Sequence, residues 1–193
     1  LVAVALDQPG VTITDQGWDA VGMGATGSVE VLFDGAEAQA IGIPGDYLQR
    51  PGFWQGGIGI AACWYGAARQ IAEALRQQCA QRQEPHALAH LGEVDTTLQD
   101  ADVLRFSALH IDAHPEDDAE LLARRARAVV EQSAEQVMRE VGRALGAGPF
   151  CKDRHFARLI ADLPVFLRQS HAERDLAALG QIVAEQSVEA WTL

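Results

Sequence analysis

Ser170-His171-Ala172-Glu173 sets a hydroxyl, an imidazole and a carboxylate at one point of the chain. Imidazole changes charge near neutral pH, so His171 is a candidate general base, and Glu173 is a second candidate for the same work. A plainer reading covers two of the three. Ser followed three residues later by Glu, ahead of apolar Leu176 and Leu179, is a capping box. Arg143 stands beside Gly146-Ala147-Gly148, where a Gly-rich break either terminates a helix or leaves backbone free to meet a phosphate. His86/His90 and His110/His114 each share a helical face at a spacing of four, but neither pair has a third ligand nearby. They read as solvated helix-end histidines, not a metal site. Arg124, Arg125 and Arg127 read as a solvated helix face. Gly22-Met23-Gly24-Ala25-Thr26-Gly27 spells GxGxxG, yet a strand follows it and no βαβ unit exists, so it is a glycine-rich β connection.

The elements that must position these residues fall into two textures. Residues 1–48 are Gly-rich with short alternating runs at Leu1–Leu6, Val11–Thr14 and Val29–Phe33, punctuated by Pro9-Gly10 and Asp34-Gly35. From residue 49 to 193 the period is helical. Ala61, Trp64, Tyr65, Ala68, Ile71, Ala72 and Leu75 make one stripe, with Trp64 and Tyr65 expected in the core. Leu91, Val94, Leu98, Ala101, Leu104, Ala108 and Ile111 make a second. Leu122, Ala126, Val129, Ser133, Val137 and Val141 make a third, preceded by Pro115 and an acidic first turn, Glu116 to Asp118. A fourth helix is expected over 153–169, a break at Ser170, and a short helix ending near Gly180. The expected fold is mainly α: an antiparallel four-helix bundle preceded by a small β remnant.

Composition narrows the function classes. With 15 Lys+Arg against 27 Asp+Glu, the net charge of −12 disfavours a nucleic-acid partner and a basic membrane-surface patch. No apolar run approaches the roughly 20 residues of a membrane span. Cys63, Cys79 and Cys151 are widely spaced, as free thiols in a reducing compartment would be, so the expected location is cytoplasmic. The opening LVAVAL begins inside a strand-like run, which leads us to expect a portion of a larger protein.

The run from Gly17-Trp18 through VGMGATGSVEVLFDG resembles the end of the middle β domain of acyl-CoA dehydrogenases. GAGPFCKDRHFARLIADLPVFLRQSHAERDLAALG resembles that family's last helices. The resemblance implies an FAD enzyme that oxidises an acyl-CoA thioester as a homodimer or homotetramer, with FAD held between subunits. Its cofactor contacts map to Arg82, Arg143, Gly146 and Gly148, and its base, a glutamate at the break before the final helix, maps to Ser170 or, with a shift of three, to Glu173. The family's alternative glutamate position, in the first helix of the bundle, holds Gln55 and Gly56 here. Related flavin monooxygenases share the fold and place histidine near the final break, which suits His171. A non-catalytic dimerisation module of the same fold is the remaining alternative.

Overall fold

The computed structural model describes residues 1–50, 52–114 and 117–186. Its contacts divide the chain into two units, Leu1–Phe53 and Trp54–Leu193.

The first unit holds two antiparallel ribbons. β1 (Val2–Ala3) pairs with β4 (Gln39–Ala40), and β2 (Val11–Ile13) pairs with β3 (Val31–Phe33). Val11 faces Phe33 and Ile13 faces Val31, a register set by the alternating apolar residues. Gly10 is obligatory: its φ is +82°, and a Cβ there would lie 2.2 Å from the Asp34 carbonyl. The Gln8 side chain ties the Glu37 backbone, donating to its carbonyl and accepting from its N–H, both at 2.9 Å. The GxGxxG segment forms a 3₁₀ turn, Gly24–Thr26, between Met23 and Gly27, each at φ 57°. The next element is β3, so no helix start is presented to a phosphate. A four-residue helix, α1 (Asp46–Gln49), closes the unit.

The second unit is mainly α, a four-helix bundle. α2 (Phe53–Gln81) buries Ala61, Trp64, Ala68, Ile71, Ala72 and Leu75 of the stripe expected from its spacing, and Ile58 and Cys79 besides, while Tyr65 is half-buried. The second stripe was expected as one helix, but the backbone breaks it into α3 (Pro85–Asp100) and α4 (Asp102–Ala113) at Ala101, with φ −73° and ψ 0°. The apolar spacing runs unbroken across the joint, which hides it from a periodicity reading. Asp102 then meets the dipole of a new first turn. α5 (Ala119–Leu145) is capped by Asp118, whose carboxylate accepts from the Leu121 N–H at 3.0 Å. The expected Pro115 and Glu116 signals lie outside the described residues. α6 (Ala147–Lys152) is one short turn, and α7 (Arg154–Leu167) is capped by Asp153, which accepts from His155 and Phe156.

Side-chain pairs fix the directions. His90 and Glu93 on α3 meet Glu140 and Gln136 on α5, so these helices are antiparallel. Arg168, just past α7, meets Glu131 and Glu135 on α5, so α7 is antiparallel too. Arg127, near the start of α5, bonds the Gly57 carbonyl near the start of α2, so α2 and α5 run the same way. The alternation is up-down-up-down. Trp64, fully buried and edge-on to Phe166 at 6.2 Å, sits at the centre.

Two corrections concern the last helix. α8 spans Glu173–Glu185, running through Gly180 instead of ending there. The expected capping box does not form either. Ala172, not Ser170, precedes the first helical residue, and it makes no side-chain cap. The Ser170 hydroxyl instead accepts from the Ala172 N–H at 3.1 Å, and it is Asp175 that reaches back, accepting from the His171 N–H at 3.1 Å. With Ala172 outside the helical region, Glu173 is too close in sequence to close the box, whereas Asp175 is one turn in.

Candidate functional site

The α7–α8 break is the most structured irregular backbone in the bundle. The Arg174 N–H donates to the His171 carbonyl at 3.0 Å, closing a β-turn whose first central residue is Ala172. Ala172 has φ 43° and ψ −114°, the region that type II′ turns normally give to glycine. An alanine held there stores roughly 1–3 kcal/mol of strain. The turn leaves His171 exposed while Ser170 is buried behind it. Glu173, the first residue of α8, is also exposed. The His171 ring Nδ1 lies 3.8 Å from Asp175 Oδ1.

Asp175 is itself held from α5. Arg124 Nη1 stands 3.3 Å from Asp175 Oδ1, its Nε bonds Glu120 at 2.8 Å, and its guanidinium carbon lies 5.2 Å from the centre of the Trp54 ring. One turn on, the Arg127 guanidinium covers the Trp64 ring at 4.7 Å and donates to the Gly57 carbonyl at 2.8 Å. Burial pushes the Arg127 guanidinium down from its ordinary range, and Asp175 and Glu131 push it back up. The expected solvated arginine face is therefore corrected: two of its three members are packed on tryptophans. The spacing of Arg124 and Arg127, three apart on one helix, was the available signal for a shared face. The third, Arg125, keeps a buried Nη2 without a partner.

The histidine pairs also depart from the solvated reading. His86 is exposed, but His90 Nδ1 lies 2.6 Å from Glu140 Oε2, and Glu140 is buried. Arg139 Nε holds the other carboxylate oxygen at 2.9 Å, and Gln136 joins it at 3.3 Å. The bonds to His90, foremost, and to Arg139 hold the Glu140 carboxyl below its usual range against the effect of burial. His110 stacks on His114 at 4.5 Å and pairs with Asp117 at 2.5 Å. Among the described residues no cluster of three or more His, Cys, Asp or Glu side chains could hold a metal ion. Cys63 and Cys151 are exposed, Cys79 is buried, and all three are free.

The remaining expected site residues gather at the opposite end of the bundle. Arg82 follows the last residue of α2, and Arg143 lies in the last turn of α5; both are exposed. Gly146, at φ 62°, ends α5, and a Cβ placed on Gly146 or Gly148 would meet nothing within 4 Å. The exposed Arg143 guanidinium, three residues before uncrowded glycine backbone, suits a phosphate group such as that of a flavin nucleotide, and Arg82 follows the end of a different helix. His171, Glu173 and Asp175 belong to the end where α2 and α5 begin. From Arg124 to Arg143 the rise along α5 is about 28 Å at about 1.5 Å per residue. One chain therefore does not bring the cofactor candidates and the base candidates together.

This architecture, a helical bundle after a small β region, has counterparts among solved structures. KijD3, solved with FMN and dTDP-3-amino-2,3,6-trideoxy-4-keto-3-methyl-D-glucose, matches over 95% of this chain and 51% of its own, with TM-score 0.73 and 22% identity. The 3-HSA hydroxylase of Rhodococcus sp. RHA1 matches over 93% and 54%, with TM-score 0.72 and 18% identity. Dibenzothiophene monooxygenase (TdsC) of Paenibacillus sp. A11-2 matches over 93% and 55%, with TM-score 0.67 and 20% identity. The chain shares their fold and spans about half their length. No family model and no curated protein sequence matches it. Among the described residues, no helix is long and apolar enough to cross a membrane.

Proposed function

We propose that the chain is the helical part of a flavin-dependent oxidoreductase, and specifically of a monooxygenase. The observation that carries this reading is His171, projected from a strained turn with a carboxylate on its Nδ1 side. No glutamate occupies Ser170 or the Gln55-Gly56 position in the first bundle helix. The fold shared with a hydroxylase, a monooxygenase and an FMN-bound enzyme supports it.

Bound reduced flavin would supply the electrons and the position at which dioxygen is activated. The chain's own contribution is proton handling. His171 Nε2 accepts the proton of an acidic O–H or N–H on a phenolic or amine-like substrate as oxygen is transferred. Arg82, Arg143, Gly146 and Gly148 would hold the phosphates of FAD, or of FMN. Because those residues stand at the far end of the bundle from His171, a homodimer or homotetramer would let each flavin draw on two chains.

A second reading keeps αβ-dehydrogenation of an acyl-CoA with Glu173 as the base, favoured by its place directly after the break. The two separate cleanly. The protein with its flavin reduced should consume oxygen and hydroxylate an aromatic or amino-sugar panel, and should show no anaerobic flavin bleaching with acyl-CoAs. Anaerobic bleaching would reverse the order of the two readings.

A further inference from the structure

We propose that Asp175, clamped by Arg124, is the positioning residue that sets the orientation and the tautomer of the His171 ring. The inference rests on the reading of His171 as the proton acceptor, but its geometry is independent of the flavin. Asp175 uses both oxygens on His171: Oδ2 accepts from the backbone N–H at 3.1 Å and Oδ1 faces ring Nδ1 at 3.8 Å. A single side chain thus holds both the turn and the ring it presents. Arg124 in turn approaches Oδ1 at 3.3 Å, with only 19% of its own side chain exposed. It is fixed against Trp54 and Glu120 and cannot swing freely.

The strain at Ala172 points the same way. A positive-φ alanine persists only where its surroundings over-determine it, and here the Ser170 hydroxyl accepts from the N–H of Ala172 itself while the Asp175 carboxylate accepts from that of His171 before it. With Nδ1 turned toward the carboxylate, Nε2 is the nitrogen left to face a substrate. Orientation of an imidazole by a carboxylate on its other nitrogen is how its tautomer is selected. The charged group in ion-pair range of the His171 ring is Asp175 on α8, and Arg124 reaches that carboxylate from α5.

The test reads the two ring nitrogens of His171 by long-range 15N–1H NMR of the chain itself in mildly alkaline solution, assigned by their loss in His171→Gln. The ring proton should sit on Nδ1, toward the carboxylate, and Asp175→Asn should move it toward Nε2. Arg124→Gln, which leaves Asp175 in place but unclamped, should move it part of the way. A tautomer unchanged in Asp175→Asn would overturn the proposal. Turnover of the flavin-loaded protein separates this inference from the function on which it rests. If Asp175→Asn moves the proton but neither it nor His171→Gln alters turnover, Asp175 positions the ring and the monooxygenase reading of His171 falls. If His171→Gln abolishes turnover while Asp175→Asn leaves both the tautomer and the turnover in place, the function stands and the positioning role falls.

Discussion

Replacing Glu140 by Gln should cost about 2 kcal/mol at pH 7, and the cost should fade in acid. The carboxylate is buried and holds His90 on α3 at 2.6 Å and Arg139 at 2.9 Å. Hydrogen bonds to charged groups contribute roughly 1.5–3 kcal/mol each. Solvent discounts the Arg139 bond, whose side chain is 60% exposed, so the His90 bond carries most of the effect. Gln keeps the shape and one acceptor, leaving the loss near the lower half of that range. The sign with pH follows from the Glu140 carboxyl being held below its usual range. The stability it contributes is present above the unfolded-state value near 4.5 and is lost as pH falls through the folded one. Urea unfolding at pH 7 should show a midpoint lower by about 1 M, taking a slope of about 2 kcal/mol per M. As the pH drops below about 4.5 the two proteins should converge. A variant within about 0.3 kcal/mol of the parent at pH 7, or one whose deficit persists unchanged in acid, would refute the reasoning.

Further expectations follow from particular contacts. Ala172→Gly should raise stability by about 0.5–1 kcal/mol, because the turn's positive φ costs glycine nothing, and thermal unfolding checks it. Arg127→Ala should cost about 1–2 kcal/mol and change Trp64 fluorescence, since the guanidinium covers that indole and bonds Gly57 across the bundle. The 193-residue chain purified by itself, which spans about half the length of the solved structures it resembles, is expected to bind flavin weakly or not at all; a yellow preparation would contradict this.

Much of the bundle was legible because burial imposes a period. The stripe through Ala61, Trp64, Ala68, Ile71 and Leu75 is the buried face of α2, and Asp118 and Asp153 cap where acids before apolar runs should. What periodicity could not reveal is a break that preserves it, as at Ala101, or a helix that runs through a glycine, as α8 does at Gly180. The break between α7 and α8 was legible in the sequence, but the partners of the residues at it were not. The roles of Asp175 and Arg124 depend on α8 lying beside α5, a contact between residues 51 apart in sequence, and that of Arg127 on Trp64 and Gly57 of α2. The same holds for His90, whose partner Glu140 lies on another helix. Charge runs and histidine pairs read locally as solvated faces because their partners are distant in the chain.

The most direct measurement is anaerobic, then aerobic, spectroscopy of the flavin-loaded protein and its His171→Gln variant. The account predicts no bleaching of oxidised flavin by an acyl-CoA panel. After reduction, oxygen consumption should be coupled to substrate hydroxylation in the parent, with coupling lost in the variant. Bleaching by an acyl-CoA without oxygen, unchanged by His171→Gln and abolished by Glu173→Gln, would contradict it.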